Sequence, residues 1–238
     1  MNSSELKGYL TGLIVGDGYI DKGITKRAFY IKSTCYEFIH KILTDLSSCT
    51  NFHISVREKN GYVGADGTHH QKSWCLYIKA HPYFAKKYHH FYNDDRRRRV
   101  SADATKWLTP MGIANWYMSD GYVCLVGKNK GKITHRRIEF ATDRYDIGTI
   151  NRLIKFLFDK FDIKASAIKH GKYYRIRINA CSYSNFINLI RPYIVDAMTY
   201  KLYLGYDYQP KWMSDEMWQD QQNLRSAITL TGSNATEE

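Results

Sequence analysis

Long apolar runs are missing from this chain. No stretch is long enough to span a membrane, and residues 1–8 carry no signal-peptide pattern. Close cysteine pairs are missing too. Cys35, Cys49, Cys75, Cys124 and Cys181 are scattered and odd in number, which excludes zinc spacing and a disulfide framework and suits buried thiols in a reducing compartment. Acidic residues are in short supply, 23 Asp+Glu against 35 Lys+Arg, giving a net charge of +12 and a pI near 9.4. What is present in their place is a hydrophobic content of 44% over 238 residues, with 20 tyrosines dominating the aromatics. A chain of that length and composition buries a real core and is not disordered. The expected protein is soluble and intracellular, without a membrane partner, and its basic, aromatic-rich balance points to a polyanion such as nucleic acid.

The most unusual stretch is Gly8-Tyr-Leu-Thr-Gly12-Leu-Ile-Val-Gly16-Asp17-Gly18. It reads as a helix whose glycines at 8, 12 and 16 share one face. Each interior glycine costs about 1 kcal/mol relative to alanine, a cost that makes sense where a second helix must come very close. Asp17 then places a carboxylate at the negative end of the helix dipole, a conflict that a cation would remove.

The first half continues with a strand over 26–33, Phe29 and Ile31 facing inward, and a helix over 36–46. Strands follow around Phe52–Val56–Arg57 and Trp74–Ile78, separated by a glycine-rich loop over 60–67, and a helix covers 82–91. The charge run 94–99 reads as a solvated boundary. Thr109-Pro110 then opens a second helix, an N-cap followed by proline at the first helical position, which stops at Asp120-Gly121. The same order returns: strands at 122–123 and 136–141, a helix over 145–161, strands near 165–169 and 174–178, and a helix over 183–194. The chain is a diverged tandem repeat of αββαββα units, an α+β fold. Its units are 1–99 and 100–208, followed by an extension over 209–238 in which 215–228 is a candidate amphipathic helix and the rest frays.

Two helices, each ending in Asp-Gly and heading matched repeats in a basic chain, resemble the LAGLIDADG homing endonucleases in their single-chain, two-motif, mobile-intron-encoded form. Residues 10–18 (LTGLIVGDG) carry the first motif. Residues 113–121 (IANWYMSDG) carry a looser second one behind Leu-Thr-Pro-Met. The resemblance covers roughly residues 4 to 204. It implies two motif helices side by side at a pseudo-two-fold axis, and a curved four-stranded sheet from each repeat forming a saddle over double-stranded DNA. Gly12 and Gly16 are then expected against Asn115 and Ser119, with Asn115 widening the crossing or bonding across it. The function implied is a monomeric, site-specific endonuclease that makes a double-strand break with short 3′ overhangs and promotes intron mobility. The alternative on the same fold is a group I intron maturase with intron RNA as partner. No His-Asn-His or Gly-Ile-Tyr arrangement supports another nuclease class, and the host compartment is whichever organelle, bacterial or phage-infected cytoplasm houses the intron.

The resemblance also assigns roles. Asp17 and Asp120, with the helix-end carbonyls of Gly16 and Ser119, would share or bracket Mg²⁺, for which Mn²⁺ is expected to substitute, and two sites related by the pseudo-dyad would cut one strand each. A basic residue near each scissile phosphate would be Lys201 in the second repeat and Arg99 in the first, or Arg98 in a register one residue shorter. Thr34 and Asp143 would help order water. DNA contact would come from Tyr30, Lys32, Arg57, Lys59 and Lys72 in the first repeat. In the second it would come from Lys128 and Lys130 in a loop with Lys132, and from Arg137, Glu139, Arg175, Arg177 and Asn179 on strands.

Overall fold

Helix α1 (Ser3–Val15) starts where Asn2 accepts from the Ser4 and Glu5 amides while the Glu5 carboxylate takes the Asn2 amide, a reciprocal cap. The computed structural model describes residues 1–23, 25–65, 67–129, 132–202, 215, 216 and 219; for 124–129 and 132–136 it describes the backbone. After α1 come β1 (Tyr19–Ile20), β2 (Arg27–Ser33), α2 (Tyr36–Ser47) and β3 (Ile54–Lys59). The glycine-rich loop holds a small hairpin, β4 (Tyr62–Val63) and β5 (His69–His70), ahead of β6 (Ser73–His81) and α3 (Pro82–Phe91). The second half runs α4 (Ala102–Trp107), α5 (Pro110–Asp120), β7 (Gly121–Asn129), β8 (Lys132–Phe140), α6 (Ile147–Phe161), β9 (Ala165–His170), β10 (Tyr173–Ile178) and α7 (Tyr183–Ile190). Short 3₁₀ turns at Ala180–Ser182, Arg191–Tyr193 and Asp196–Lys201 complete it.

Each half makes an antiparallel four-stranded sheet, ordered β1-β2-β6-β3 in the first and β7-β8-β10-β9 in the second. The orders are equivalent, and so is the register: Tyr19 pairs with Tyr30 as Tyr122 pairs with Glu139. The alternation expected for β2 holds, with Phe29 and Ile31 fully buried, although Ala28 is buried as well because the pairing with β6 slips between Arg27 and Phe29. The two halves share one apolar core, in which Leu10, Leu13 and Ile14 of α1 join Ile113, Trp116 and Tyr117 of α5.

The helix seam corrects one expectation. A Cβ on Gly12 would collide with the backbone of Gly112, not with Asn115; one on Gly16 would come 2.6 Å from the Ser119 Cβ, as expected, and one on Gly112 would strike the Gly8 carbonyl. In a two-fold interface residue i meets j, and the mates of j and i meet in turn. Equivalence of the Asp-Gly pairs makes Tyr9 the mate of Gly112 and Asn115 the mate of Gly12, so Asn115 belongs beside Tyr9. Both are fully buried, and neither the Tyr9 hydroxyl nor the Asn115 amide reaches hydrogen-bond geometry with a partner. The crossing is therefore tight at Gly12, with a polar pair beside it.

Three further expectations change. The charge run at 94–99 is a tight reversal rather than a solvated linker: the Asn93 amide donates to Arg97 O at 3.1 Å and Tyr92 bridges to Arg98. It leads into α4, which the sequence reading missed. Lys128 and Lys132 lie in paired strands rather than a loop, since β7 and β8 form a long hairpin with Lys128 opposite Ile133. The last helix of the repeat ends at Ile190, where Arg191-Pro192 turns into a 3₁₀ segment. Of the predicted helix at 215–228, Asp215, Glu216 and Gln219 are helical; Lys130 and the remainder of that helix lie outside the described residues.

Candidate active site

The two acids meet at the base of the α1–α5 pair, in unequal surroundings. Helix α5 runs to Asp120 and is closed by Gly121, whereas α1 stops at Val15 with Gly16 as its cap, so Asp17 lies beyond the helix. The side chain of Asp17 is 43% exposed and that of Asp120 only 5%. Burial pushes the Asp120 carboxyl up to about 7 against the pull of Arg144, and the neighbouring Asp17 adds to the rise. Its Oδ1 accepts from Arg144, while its buried Oδ2 has no hydrogen-bond partner.

Each helix end is closed by a basic side chain from late in a repeat. The Arg98 guanidinium donates to the carbonyls of Ile14 (2.9 Å), Gly16 (3.0 Å) and Gly18 (2.6 Å). Lys201 Nζ donates to Met118 O at 2.6 Å, and the Lys201 carbonyl accepts from the Tyr117 hydroxyl at 2.8 Å. Cations there complement the negative helix ends and satisfy carbonyls that lack intrahelical donors. Burial holds the Lys201 ammonium below the usual lysine value, although Asp17 and Asp120 oppose that shift. The two candidate arginines of the first half point to different places. Arg98 occupies the place in the first half that Lys201 occupies in the second, whereas Arg99 turns to the end of α3 and donates to His89 O at 2.6 and 3.1 Å.

Arg144 was not singled out by sequence reasoning. Its Nη2 donates to Asp17 Oδ1 at 3.2 Å and to Asp120 Oδ1 at 3.0 Å, and its Nη1 donates to Gly16 O at 3.2 Å. The next residue, Tyr145, donates its buried hydroxyl to Val15 O at 2.7 Å. A cavity of ≈ 310 Å³ opens beside Asp17, lined in part by Lys32, Thr34, Ser119 and Lys201. Thr34 therefore stands at the site. Asp143 instead accepts from Arg175 Nε through both oxygens (3.1 and 2.9 Å) and pairs with His170 at 3.1 Å.

These surroundings suit a hard divalent cation. Two carboxylates approach one common point, one carries an orphaned buried oxygen, and burial makes a lone Asp120 charge unfavourable. Among the described residues no group of three His, Cys, Asp or Glu side chains gathers to hold a metal. Such a cation would thus take two carboxylates and draw its remaining oxygens from carbonyls, water or phosphate, as Mg²⁺ commonly does. The Gly16 carbonyl is shared by Arg98 and Arg144, and the Ser119 hydroxyl donates to Asn115 O at 3.1 Å.

The sheet faces differ as well. On the first, Lys32, Cys75 and Arg57 form one rung and Tyr30, Tyr77 and Ser55 the next, with Lys32, Arg57 and Lys59 exposed. Lys72 pairs with Glu58 at 3.0 Å. On the second, Tyr122, Glu139 and Arg177 share a rung. Glu139 is buried, accepting from Arg177 Nε at 2.8 Å and from the Tyr122 hydroxyl at 2.6 Å, so it orients its neighbours instead of presenting a free carboxylate. Arg175 Nη1 donates to the same tyrosine at 2.9 Å, Asn179 Oδ1 accepts from Ser166 at 2.9 Å, and Arg137 is half-buried.

Comparison with known proteins places the chain. A 205-residue stretch is 26% identical to the probable intron-encoded endonuclease 1 of Wickerhamomyces canadensis, covering 81% of each sequence. A 210-residue stretch is 24% identical to the cytochrome b mRNA maturase bI2 of Debaryomyces hansenii, covering 83% of this chain and 73% of that one. Of other curated relatives the chain spans less, 27% of the length of the RecA protein of Mycolicibacterium flavescens. The homing endonuclease I-WcaI, solved bound to its DNA recognition sequence, has the same fold, with a TM-score of 0.71 at 22% identity over 86% of this chain and 88% of that one. The profile of the LAGLIDADG DNA endonuclease family matches residues 7–186. With paired Asp-Gly helix ends heading two equivalent sheets, the chain belongs to that family.

Proposed function

We propose that this protein is a site-specific endonuclease that hydrolyses one phosphodiester in each strand of a long DNA duplex, using Mg²⁺ held between Asp17 and Asp120, and so promotes the mobility of its intron. The observation that carries the reading is the meeting of two acids, one from each repeat, at a single arginine nitrogen beneath a tightly packed helix pair. A bound divalent cation there supplies Lewis-acid stabilisation of charge on the phosphate oxygens. The chain's own groups do the remainder. Asp17 and Asp120 would anchor the cation, and Lys201, which lines the same cavity as Asp17 and is held below the usual lysine value, would hold or release a proton there. Arg98 keeps the end of α1 in place and offers charge to a phosphate. Lys32, Arg57 and Lys59 on the first sheet, and Arg137, Arg175 and Arg177 on the second, would track the duplex. Its two-fold geometry matches a two-motif chain acting as a monomer.

The test is cleavage of DNA in which the flanking exons are joined. Purified protein with Mg²⁺ or Mn²⁺ should break both strands at one site, and chelation should abolish cutting. Intact DNA under these conditions would refute the reading. Similarity to a maturase over 83% of the chain supports a second activity on intron RNA. A splicing assay with the unspliced transcript tests it, and splicing unaffected by the protein would remove it.

A further inference from the structure

The Arg144 guanidinium lies where the proposed cation would lie. One of its nitrogens bonds both carboxylates at once, at 3.2 and 3.0 Å, and the other takes the Gly16 carbonyl that was expected to complete the cation's shell. Its side chain remains 33% exposed, so it can leave by a side-chain rotation toward the open face. The first repeat has nothing similar: matching strand registers, Tyr19 with Tyr30 and Tyr122 with Glu139, make Cys35 the counterpart of Arg144. This charge is thus an addition of the second repeat alone, serving both acids.

We propose that Arg144 is an internal counter-ion that occupies the acid pair in the DNA-free protein and admits the divalent cation once DNA phosphate draws it away. The inference rests on the metal-site reading above. Two separately placed carboxylate oxygens each take a single bond from one nitrogen. A phosphate offers the guanidinium two parallel bonds, so the arginine has a better partner when DNA arrives. The consequence is ordered loading, in which the free protein holds the cation weakly and the complex holds it strongly. Arg144 acts here as a positioning residue.

The experiment is a titration with Mn²⁺, followed by electron paramagnetic resonance, of wild-type protein and the Arg144→Gln, Arg144→Lys and Arg144→Gln/Asp120→Asn variants without DNA. The expected result is Mn²⁺ binding at least about tenfold tighter in Arg144→Gln than in wild type, weak binding retained in Arg144→Lys, and binding lost in the double variant. In chelator, Arg144→Gln should melt below wild type, and added Ca²⁺ should restore it more than it raises wild type. The joined-exon duplex should tighten Mn²⁺ binding by wild type and change that of Arg144→Gln little. Equal affinity of wild type and Arg144→Gln, with binding still lost in Arg144→Gln/Asp120→Asn, would overturn the counter-ion role and leave the metal site standing. No Mn²⁺ bound by any variant, with or without DNA, would overturn both.

Discussion

The two ends of the motif-helix pair share an acid and a capping cation yet differ in burial and in the chemistry of that cation. In the first, the acid projects past the helix into solvent, and an arginine ties down three carbonyls. In the second, the acid is the last helical residue and nearly buried, and a lysine touches one carbonyl. The counterpart of Cys35 is an arginine that reaches both acids. Pseudo-symmetry thus conserves the placement of charge while leaving its proton chemistry free to differ. Burial holds the Lys201 ammonium below the usual lysine value, whereas a guanidinium stays protonated in any surroundings. Under the proposed function, the half containing Lys201 would serve proton transfer, and the half containing Arg98 would hold backbone and phosphate.

That difference can be broken most severely at Lys201. Lys201→Ala and Lys201→Arg should both slow cutting of one strand by about 10²-fold or more, so that nicked DNA accumulates in a strand-resolved assay. Arg98→Lys should spare cutting of the other strand to a greater degree but lower stability, because two of the three capped carbonyls lose their donor. Equal loss on both strands from each substitution would erase the distinction. At the seam both halves depend on Gly12 equally. Gly12→Ala should destabilise the fold by about 3 kcal/mol or more in chemical denaturation, because its Cβ overlaps backbone that cannot move alone.

A smaller effect separates the acids themselves. In chelator, Asp120→Asn should stabilise the protein at pH 8 by about 1–4 kcal/mol, while Asp17→Asn should change it less. The sign follows from the raised folded-state pKa. A carboxyl pushed up to about 7 by burial adds stability below its ordinary range near 3.8, and that contribution is lost as pH rises toward and through 7. Chelated wild type should therefore lose stability across that window, and thermal melts from pH 5 to pH 8 read it. The smallest expected effect distinguishes the sheets. Arg57→Ala removes an exposed charge and should reduce the salt slope of DNA affinity by about 1. Glu139→Gln frees Arg177 from its orienting partner, so discrimination among target variants should fall more than overall affinity.

The repeat was legible in the sequence because its signals are local: glycine spacing, Asp-Gly stops, Thr109-Pro110, and alternation such as Phe29 and Ile31. Asp17 and Asp120 could be nominated from there, Lys201 and Thr34 only through the family resemblance, and their common neighbourhood emerged only from packing. Arg144 was not legible. It has no charged counterpart in the first repeat, and its link to Asp17 spans the two halves. Asn115 was matched to the wrong glycine because aligned residues are related by the dyad and need not touch. The run at 94–99 hid Arg98 among identical neighbours, and only the reversal at Tyr92–Arg98 decides which arginine returns to α1. Alternation gives the face on which Glu139 lies but not the arginine beside it.

Joint holding of the catalytic metal by the acids of both repeats is read most plainly from strand-resolved cleavage of the joined-exon duplex by Asp17→Asn and Asp120→Asn at saturating protein and Mg²⁺. Each variant is expected still to bind the duplex, and neither to make the double-strand break. A variant of either acid that cuts both strands at the wild-type rate would contradict it.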